Sequence, residues 1–251
     1  MTIDVLEQYK EDAIQRAKSY MKNEKLQNAK NIFLNELVSE KYAYNFFWLG
    51  TPILQAPQDL QSWQEIIWEV KPDLIIETGV AMGGSLIFNA SMLSILENCK
   101  LIEKGDVIGV DIEIRPHNKK AITEHPLNDK ITLVEGSSID EKIIQKVKEL
   151  AKNKKRILII LDSNHTHDHV LAELRAYGPL VSKGSYCIVS DTGVEDLPEG
   201  STSNRPWGKG NNPKTAVWEF LKENDSFKID KDIEAKLILT ASPDGFLKRT
   251  E

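Results

Sequence analysis

Two aspartates and a histidine stand directly after short apolar runs in the second half of the chain. Asp162 follows the run at residues 157–161, Asp191 follows the run at 186–189 after one serine, and His165 lies three residues beyond Asp162. Carboxylate oxygens are the ligands that Mg²⁺ or another hard divalent ion prefers. An imidazole exchanges protons near neutral pH. The pattern predicts a metal site at Asp162 and Asp191, with Asp162 and His165 as catalytic residues.

Three of the five histidines fall at positions 165, 167 and 169. His165 and His169 are four residues apart, the spacing of two ligands on one helical face, so a zinc site is an alternative. The glutamate that accompanies such a pair in metalloproteases is absent, which favours the two-carboxylate site. His167 and His169 are therefore predicted to be solvated or packing residues.

A glycine-rich segment, ETGVAMGGS at residues 77–85, follows an earlier apolar run. Glycines at such a turn allow a ligand to approach the backbone closely, and the next helix offers free N–H groups. The segment matches neither the dinucleotide fingerprint nor the phosphate loop. We therefore predict a nucleoside with a short charged tail as the ligand, bound by residues that include Gly79, Gly83 and Ser85. Asp162 is also predicted to bind this cofactor.

Acidic and hydroxyl side chains follow the next two apolar runs. Asp111 ends the run at 107–110, and an acid at this place in a doubly wound sheet accepts hydrogen bonds from the ribose of adenosine-type cofactors. Ser137, Ser138 and Asp140 follow the run at 131–134, where they can meet an adenine edge. Ser138 can equally cap the following helix, so both interpretations stay open.

The elements that must position these residues are apolar runs alternating with helical stretches. The runs lie at 74–76, 107–110, 131–134, 157–161 and 186–189. They are rich in β-branched residues and recur every 20 to 30 residues or so, roughly the spacing of βα units. Their unbroken apolar character predicts parallel strands covered on both faces. We therefore expect a doubly wound, Rossmann-like α/β sheet over residues 73–251, with ligands at the carboxyl ends of its strands.

Residues 1–72 are predicted to form a helical and aromatic N-terminal extension. Apolar residues recur at helical spacing over 4–38, an aromatic cluster follows at 42–48, and a further helix should begin near Asp59. Packing is the favoured role of the aromatic cluster, with a substrate wall or partner contact as alternatives. The amphipathic extension favours self-association, so we expect a homo-oligomer.

Composition excludes several functional classes. The chain has 251 residues, of which 41% are hydrophobic and 28% are charged, values typical of a globular protein. Its formal charge of −6 gives no basic surface for binding nucleic acid. No apolar stretch is long enough for a membrane span, and the N-terminus lacks a secretory signal pattern. Two cysteines cannot form a disulfide framework. A cytoplasmic protein is expected.

Several further motifs accompany these residues. They are WLGTP at 48–52, LQAPQDL at 54–60, GVD at 109–111, LDS at 161–163, HVL at 169–171, YGPLV at 177–181, GSY at 184–186, DT at 191–192 and PWGKG at 206–210. With the glycine loop, they make the chain resemble class I S-adenosylmethionine-dependent methyltransferases. The resemblance is to the family of cephalosporin hydroxylase enzymes and rhamnosyl O-methyltransferases, and it covers nearly the whole chain.

This resemblance implies roles for individual residues. Glu77 and the backbone around Gly79 would hold the methionine end of the cofactor, and Asp111 its ribose. The wider group of metal-dependent O-methyltransferases implies Mg²⁺ at Asp162, Asp191 and Thr192. Relatives of the cephalosporin enzyme often carry an acid immediately before the second aspartate. This chain has Ser190 there, which leaves the implied ligand set one carboxylate poorer.

The activity implied is methyl transfer from S-adenosylmethionine to a hydroxyl of a sugar or glycosylated small molecule, with Mg²⁺ holding the acceptor and His165 removing the proton. The long polar loop at 193–213 is a candidate lid over the acceptor. Two alternatives remain: a part in hydroxylating a secondary metabolite, and a non-catalytic accessory subunit that acts through the N-terminal helices. The absence of a redox motif or a two-His-one-carboxylate pattern argues against direct oxygen chemistry.

Overall fold

A seven-stranded sheet forms the centre of the computed structural model, which describes residues 4–251. Its strands are β3 (Leu74–Thr78), β4 (Asp106–Asp111), β5 (Ile131–Glu135), β6 (Ile157–Leu161), β7 (Tyr186–Val189), β8 (Phe227–Ile229) and β9 (Phe246–Arg249). A separate antiparallel hairpin pairs β1 (Phe46–Trp48) with β2 (Thr51–Ile53). The helices are α1 (Val5–Tyr20), α2 (Glu24–Ser39), α3 (Pro57–Val70), α4 (Gly84–Asn98), α5 (Pro116–Thr123), α6 (Glu141–Ala151), α7 (His167–Tyr177), α8 (Pro213–Glu223) and α9 (Lys231–Leu237).

The strand order places the predicted ligand-binding edge at the middle of the sheet. The order is β5-β4-β3-β6-β7-β9-β8, with the first five strands parallel and β9 antiparallel to both neighbours. The chain adds β4 and β5 on one side of β3 and then crosses to add β6 and β7 on the other. This reversal between β3 and β6 is the topological switch at which doubly wound sheets bind ligands. The predicted fold class and its five parallel strands are confirmed.

Both faces of the sheet are covered, which explains why the strands are apolar without alternation. Ile76 and Ile159 pack with α7 and α8 on one face, whereas Ile75 and Leu158 pack with α3 and α4 on the other. Trp63 of α3 is fully buried in that second layer. Strands covered on both sides lose their polar face, because each face contacts helices instead of water.

The N-terminal region differs from the single helix predicted over 4–38. Helix α1 ends at Tyr20, and residues 21–23 separate it from α2. The side chain of Asn23 accepts a hydrogen bond from the Leu26 amide and so starts α2 as a separate helix. An N-terminal cap satisfies backbone donors and outweighs the continuing apolar period. In the hairpin that follows, Phe46 and Trp48 pack against the second core layer, whereas Phe47 is exposed. Among the helices described, none has the length and apolar character that a bilayer crossing requires.

Candidate active site

Asp162, His165 and Asp191 converge at the carboxyl ends of neighbouring strands. Asp162 follows β6 and Asp191 follows β7, which pair in parallel register, so their ends meet at one edge. One ligand atom from each of the three residues lies within 4.8 Å of the other two. His165 Nε2 is 3.2 Å from Asp191 Oδ2. Two carboxylates and an imidazole at this separation suit a divalent cation, a proton transfer, or both.

Asp191 takes a backbone conformation that is uncommon outside glycine. Its φ is 55°, in the left-handed region, which costs a residue with a side chain roughly 1 kcal/mol or more. The turn is held on both sides: the Ser190 amide donates to the Leu161 carbonyl at 2.9 Å, and the Gly193 amide donates to the Ala241 carbonyl at 3.0 Å. Strained backbone of this kind persists where its surroundings hold it, and it is concentrated at functional sites.

The Asp162 carboxyl is surrounded by other acids. Burial raises its pKa well above the ordinary value, and the negative charges of Asp191 and Glu77 raise it further. Gln55 opposes this by donating from Nε2 to Asp162 Oδ2 at 2.7 Å. Acids held together without a cation among them favour binding of a positive ion, which stabilises their charged forms. The donor set therefore fits a hard divalent cation. Gln55 belongs to the LQAPQDL motif, and no local sequence pattern predicts its place in the site.

The two residues next to Asp191 are buried. Thr192 donates its hydroxyl proton to the Pro243 carbonyl at 2.5 Å, so it anchors the following segment, and its predicted role as a metal ligand stays a prediction. The Ser190 hydroxyl has no hydrogen-bond partner among the described residues. Ser190 is the position at which the resemblance implies an acid in relatives, and its side chain here is buried.

His165 and His169 are not arranged as the paired ligands that the alternative zinc site requires. Helix α7 begins at His167, so His165 lies in the preceding loop and does not share a helical face with His169. His169 Nε2 instead lies 3.0 Å from Ser138 Oγ and 3.2 Å from Ser163 Oγ. His167 contacts the Thr215 hydroxyl through Nδ1 at 2.8 Å. Both histidines are half-buried groups that bond to neighbouring helices and loops.

Glu77 is the buried acid at the end of β3. The side chains of Ser85 and Asn89, both on α4, donate to its two oxygens, the second at 2.7 Å. Burial nevertheless raises the pKa of Glu77 to about 8. The predicted ligand-binding serine, Ser85, therefore contacts Glu77 directly. A buried acid at a topological switch, with neutral donors as its partners, suits a cationic group of a ligand.

The glycine loop follows β3 and is shaped by close backbone approaches. Gly79 has φ of 93°, and a Cβ atom there would lie 2.0 Å from the Asp162 carbonyl oxygen. Gly83 has φ of 88°, and its Cβ would lie 2.5 Å from the Ile122 side chain. Asp111 Oδ2 accepts hydrogen bonds from the amides of Val80 and Ala81 at 2.8 and 3.3 Å. Asp111 thus fastens the glycine loop to the end of β4, which places the predicted ribose-binding acid beside the loop.

The residue after β5 that caps the following helix is not the one that the sequence suggested. Asp140 caps α6, because its side chain accepts a hydrogen bond from the Lys142 amide at 2.8 Å. The proposed cap at Ser138 is therefore wrong: Ser138 is buried and contacts His169. Ser137 begins the turn that leads to Asp140, and its carbonyl accepts from the Asp140 amide at 3.0 Å. The adenine-binding role of Ser137 and Ser138 stays a prediction.

The loop predicted as a lid, residues 193–213, contacts His165 through the aromatic side chain of Trp207. The Trp207 ring lies edge-on to His165, with ring centroids 4.8 Å apart. The loop is tied to itself, since Glu195 accepts a hydrogen bond from the Gly210 amide at 2.8 Å and from the Asn212 side chain. Asn212 also caps α8. The loop therefore forms a wall on the His165 side of the site.

A cavity of about 820 Å³ lies beside the site rather than at it. It is bordered by α2 on one side and by residues 193–199 on the other. Gly193, Thr240 and Pro243 line it, and these residues belong to the segments that hold Asp191 in place. Asp162, His165 and Asp191 are not among its lining residues.

Comparison with known proteins decides the family. The model of the Rhamnosyl O-methyltransferase/CmcI family matches residues 40–250. The chain belongs to this family. A rhamnosyl O-methyltransferase of Mycobacterium tuberculosis is 32% identical over 217 residues, covering 83% of this chain and 82% of the relative. One of Mycobacterium leprae is 30% identical over 205 residues, covering 80% and 82%.

Solved structures agree with this assignment at the level of the fold. A structure of CmcI with Mg and SAM has a TM-score of 0.56 and 19% identity, covering 83% of this chain and 78% of that one. An O-methyltransferase from Bacillus cereus in complex with SAH has a TM-score of 0.52 and 15% identity, covering 80% and 81%. This Rhamnosyl O-methyltransferase/CmcI family member thus has the class I methyltransferase fold that its motifs indicated.

Proposed function

We propose that this protein is an S-adenosylmethionine-dependent, divalent-metal-assisted O-methyltransferase that acts on a hydroxyl of a sugar or glycosylated small molecule. The observation that carries the proposal is the convergence of Asp162, His165 and Asp191 beside Glu77 at the switch between β3 and β6. Membership of the Rhamnosyl O-methyltransferase/CmcI family supports both the reaction and the sugar acceptor.

The cofactor-binding residues that we assign lie at the ends of β3, β4 and β5. Glu77 would hold the ammonium of the methionine end, together with the backbone around Gly79. Asp111 would hold the ribose hydroxyls, because it fastens the glycine loop to the end of β4. Ser137 and Ser138 would lie beside the adenine. S-adenosylmethionine supplies a methyl group on a sulfonium, which carries its own leaving group.

The protein's contribution to methyl transfer is to orient the acceptor hydroxyl and to remove its proton. Asp162 and Asp191, with Thr192 next to them, would hold Mg²⁺ or a similar ion, which lowers the pKa of a bound hydroxyl. The His165 imidazole takes up the proton, and the Asp191 carboxylate, 3.2 Å from its Nε2, stabilises the imidazolium that results. Trp207 restricts the space around His165 and keeps water from it.

Calorimetry with S-adenosylmethionine and S-adenosylhomocysteine tests the proposal most directly. We expect both to bind, and no binding at millimolar cofactor would contradict the proposal. A mass-spectrometric screen of nucleotide sugars and glycosylated metabolites, with Mg²⁺ and with a chelator, then identifies the acceptor. Oxygen consumption that depends on the protein and a reductant would instead favour the hydroxylation alternative.

We further propose that the enzyme works as a homo-oligomer in the cytoplasm. Helix α2 buries none of its residues, and exposed apolar side chains include Ile32, Phe33 and Val38 on α2 and Tyr9 on α1. An apolar surface of this kind favours association. Light scattering after size exclusion should give a mass above 28.4 kDa, and a monomer at micromolar concentration would contradict the oligomer. Fractionation of cells that express the tagged protein tests the compartment.

A further inference from the structure

The LQAPQDL segment, residues 54–60, reaches the metal-site acids by two separate routes. The first is direct and runs through Gln55, which lies just before α3 and is only 7% exposed. Its Nε2 donates to Asp162 Oδ2 at 2.7 Å. A carboxylate with one oxygen held by an amide has a defined rotation, and its other oxygen stays available to an ion.

The second route starts at Asp59, in the first turn of α3. Asp59 is 1% exposed, and no step of the proposed reaction uses it. Its Oδ1 accepts the Thr240 hydroxyl proton, and its Oδ2 accepts from the Ala241 amide at 2.9 Å. A buried carboxylate with two donors is an unusual way to hold a loop, because burying the charge is costly unless the bonds are well placed. Asp59 therefore holds residues 240–241 firmly against α3.

The same loop holds the residues that follow Asp191. The Ala241 carbonyl accepts from the Gly193 amide at 3.0 Å, and the Pro243 carbonyl accepts from the Thr192 hydroxyl at 2.5 Å. Asp191 itself has the left-handed backbone that needs such support. A continuous set of hydrogen bonds thus runs from Asp59 through residues 240–243 to Thr192 and Gly193.

We propose that Gln55 and Asp59 are positioning residues of the metal site: Gln55 orients Asp162, and Asp59 holds Asp191 in place through residues 240–243. Because the two lie four residues apart in one short segment, that segment sets the separation of the two carboxylates. The inference rests on the proposed function for the identity of the site as a cation site. Neither residue contacts the reacting atoms.

A calorimetric titration with Mn²⁺, in the absence of acceptor, tests whether Gln55 and Asp59 position the metal site. Gln55→Leu removes the hydrogen bond to Asp162. Thr240→Val removes two, the bond that the Thr240 hydroxyl donates to Asp59 and the bond that it accepts from the Ser242 amide. We expect each to weaken Mn²⁺ binding by about 10-fold or more, the usual effect of losing a group that orients a metal ligand. Thr240→Ser keeps the hydroxyl and should bind Mn²⁺ as the wild type does. Gln61→Leu, an exposed glutamine of the same helix, is the matched control.

Two further measurements separate positioning from a general loss of structure. S-adenosylhomocysteine affinity should stay close to wild type in Gln55→Leu and Thr240→Val. Both variants should also unfold cooperatively at a temperature well above that of the titration. Asp59→Asn should behave like Thr240→Val with a larger effect, and the Val/Ser pair at position 240 decides the question if Asp59→Asn does not fold.

The contrary outcomes are distinct. Unchanged Mn²⁺ affinity in folded Gln55→Leu and Thr240→Val would overturn the inference. So would a wild type that binds S-adenosylhomocysteine but no Mn²⁺. A wild type that fails to bind S-adenosylhomocysteine contradicts the proposed function instead, whatever the metal titration shows.

Discussion

His165 Nε2 lies 3.2 Å from Asp191 Oδ2, and the two residues come from different βα units of the sheet. The imidazole is the less accessible of the two, with 18% of its side chain exposed against 44% for the aspartate. An imidazole that takes up a proton next to a carboxylate forms a charge-assisted pair, which is stronger than a neutral hydrogen bond. The pair therefore combines a proton acceptor with the group that stabilises the acceptor once it is charged.

Removing the imidazole should lower the rate without affecting the cofactor. For His165→Ala we expect kcat to fall by roughly 100- to 10,000-fold, the range of general base catalysis. S-adenosylhomocysteine affinity, measured by calorimetry, should stay at the wild-type value because Glu77 and Asp111 are untouched. Retention of the full rate would remove His165 from the mechanism.

Removing the charge of the central carboxylate should abolish both turnover and metal binding. Asp162→Asn keeps the shape of the side chain but loses a negative oxygen, so we expect no detectable Mn²⁺ binding at concentrations that saturate the wild type. Asp168→Asn, an exposed acid in the first turn of α7, is the control. Wild-type turnover in Asp162→Asn would contradict the metal site. Unchanged biological activity in a variant that has lost turnover would instead favour the accessory-subunit alternative.

Glu77 should make the stability of the cofactor-free protein depend on pH. Burial raises its pKa to about 8 from an ordinary value of 4.5, so the folded state holds the proton more tightly than the unfolded state does. Its contribution to stability is then fully present below pH 4.5 and is lost as the pH rises through about 8. Urea unfolding of wild type and Glu77→Gln over this range checks the sign, since only the wild type should lose this contribution.

Cofactor binding should release a proton from the same residue. Below pH 8 the Glu77 carboxyl is largely protonated, and an ammonium group beside it favours the ionised form. We expect the observed binding enthalpy of S-adenosylhomocysteine at pH 7 to vary with the ionisation enthalpy of the buffer. An enthalpy that is the same in all buffers would separate Glu77 from the ammonium.

Ser190 should prove to lie outside the ligand set. Its buried hydroxyl has no partner among the described residues, so Ser190→Ala removes no hydrogen bond seen there. We expect the free energy of unfolding to change by less than about 1 kcal/mol, because an unpaired buried hydroxyl contributes little. Mn²⁺ affinity should also be unchanged, and a clear loss of affinity would show that the serine oxygen takes part in the site.

Trp207 should act on the acceptor rather than on the cofactor. Trp207→Ala removes the edge-on ring contact with His165, and ring contacts of this kind contribute about 0.5 to 1.5 kcal/mol. We expect kcat/KM for the acceptor to fall by about 2- to 13-fold, the equivalent of that energy. S-adenosylhomocysteine affinity serves as the control, and a change confined to that affinity would contradict the wall assigned to the loop.

Local patterns were sufficient to predict the parallel sheet and the acids at its edge. Asp111 and Asp162 each follow an unbroken apolar run, and such a run with a polar end is a property of neighbouring residues alone. Two short strands, β8 and β9, escaped prediction. β8 has three residues, one of them polar, and β9 has four, two of them polar. Their pairing, β9 with β7 and β8 with β9, supplies what their composition does not.

The sequence alone determined which residues bear the proposed chemistry, and only the tertiary structure decided what holds them. Gln55 contacts Asp162 across 107 residues of chain, and Asp59 contacts Thr240 across 181. No periodicity or turn preference extends over such separations, because contacts of this kind arise when helices and loops pack on the sheet. The LQAPQDL segment was one of those that carried the sequence resemblance, and packing alone brought it to the site.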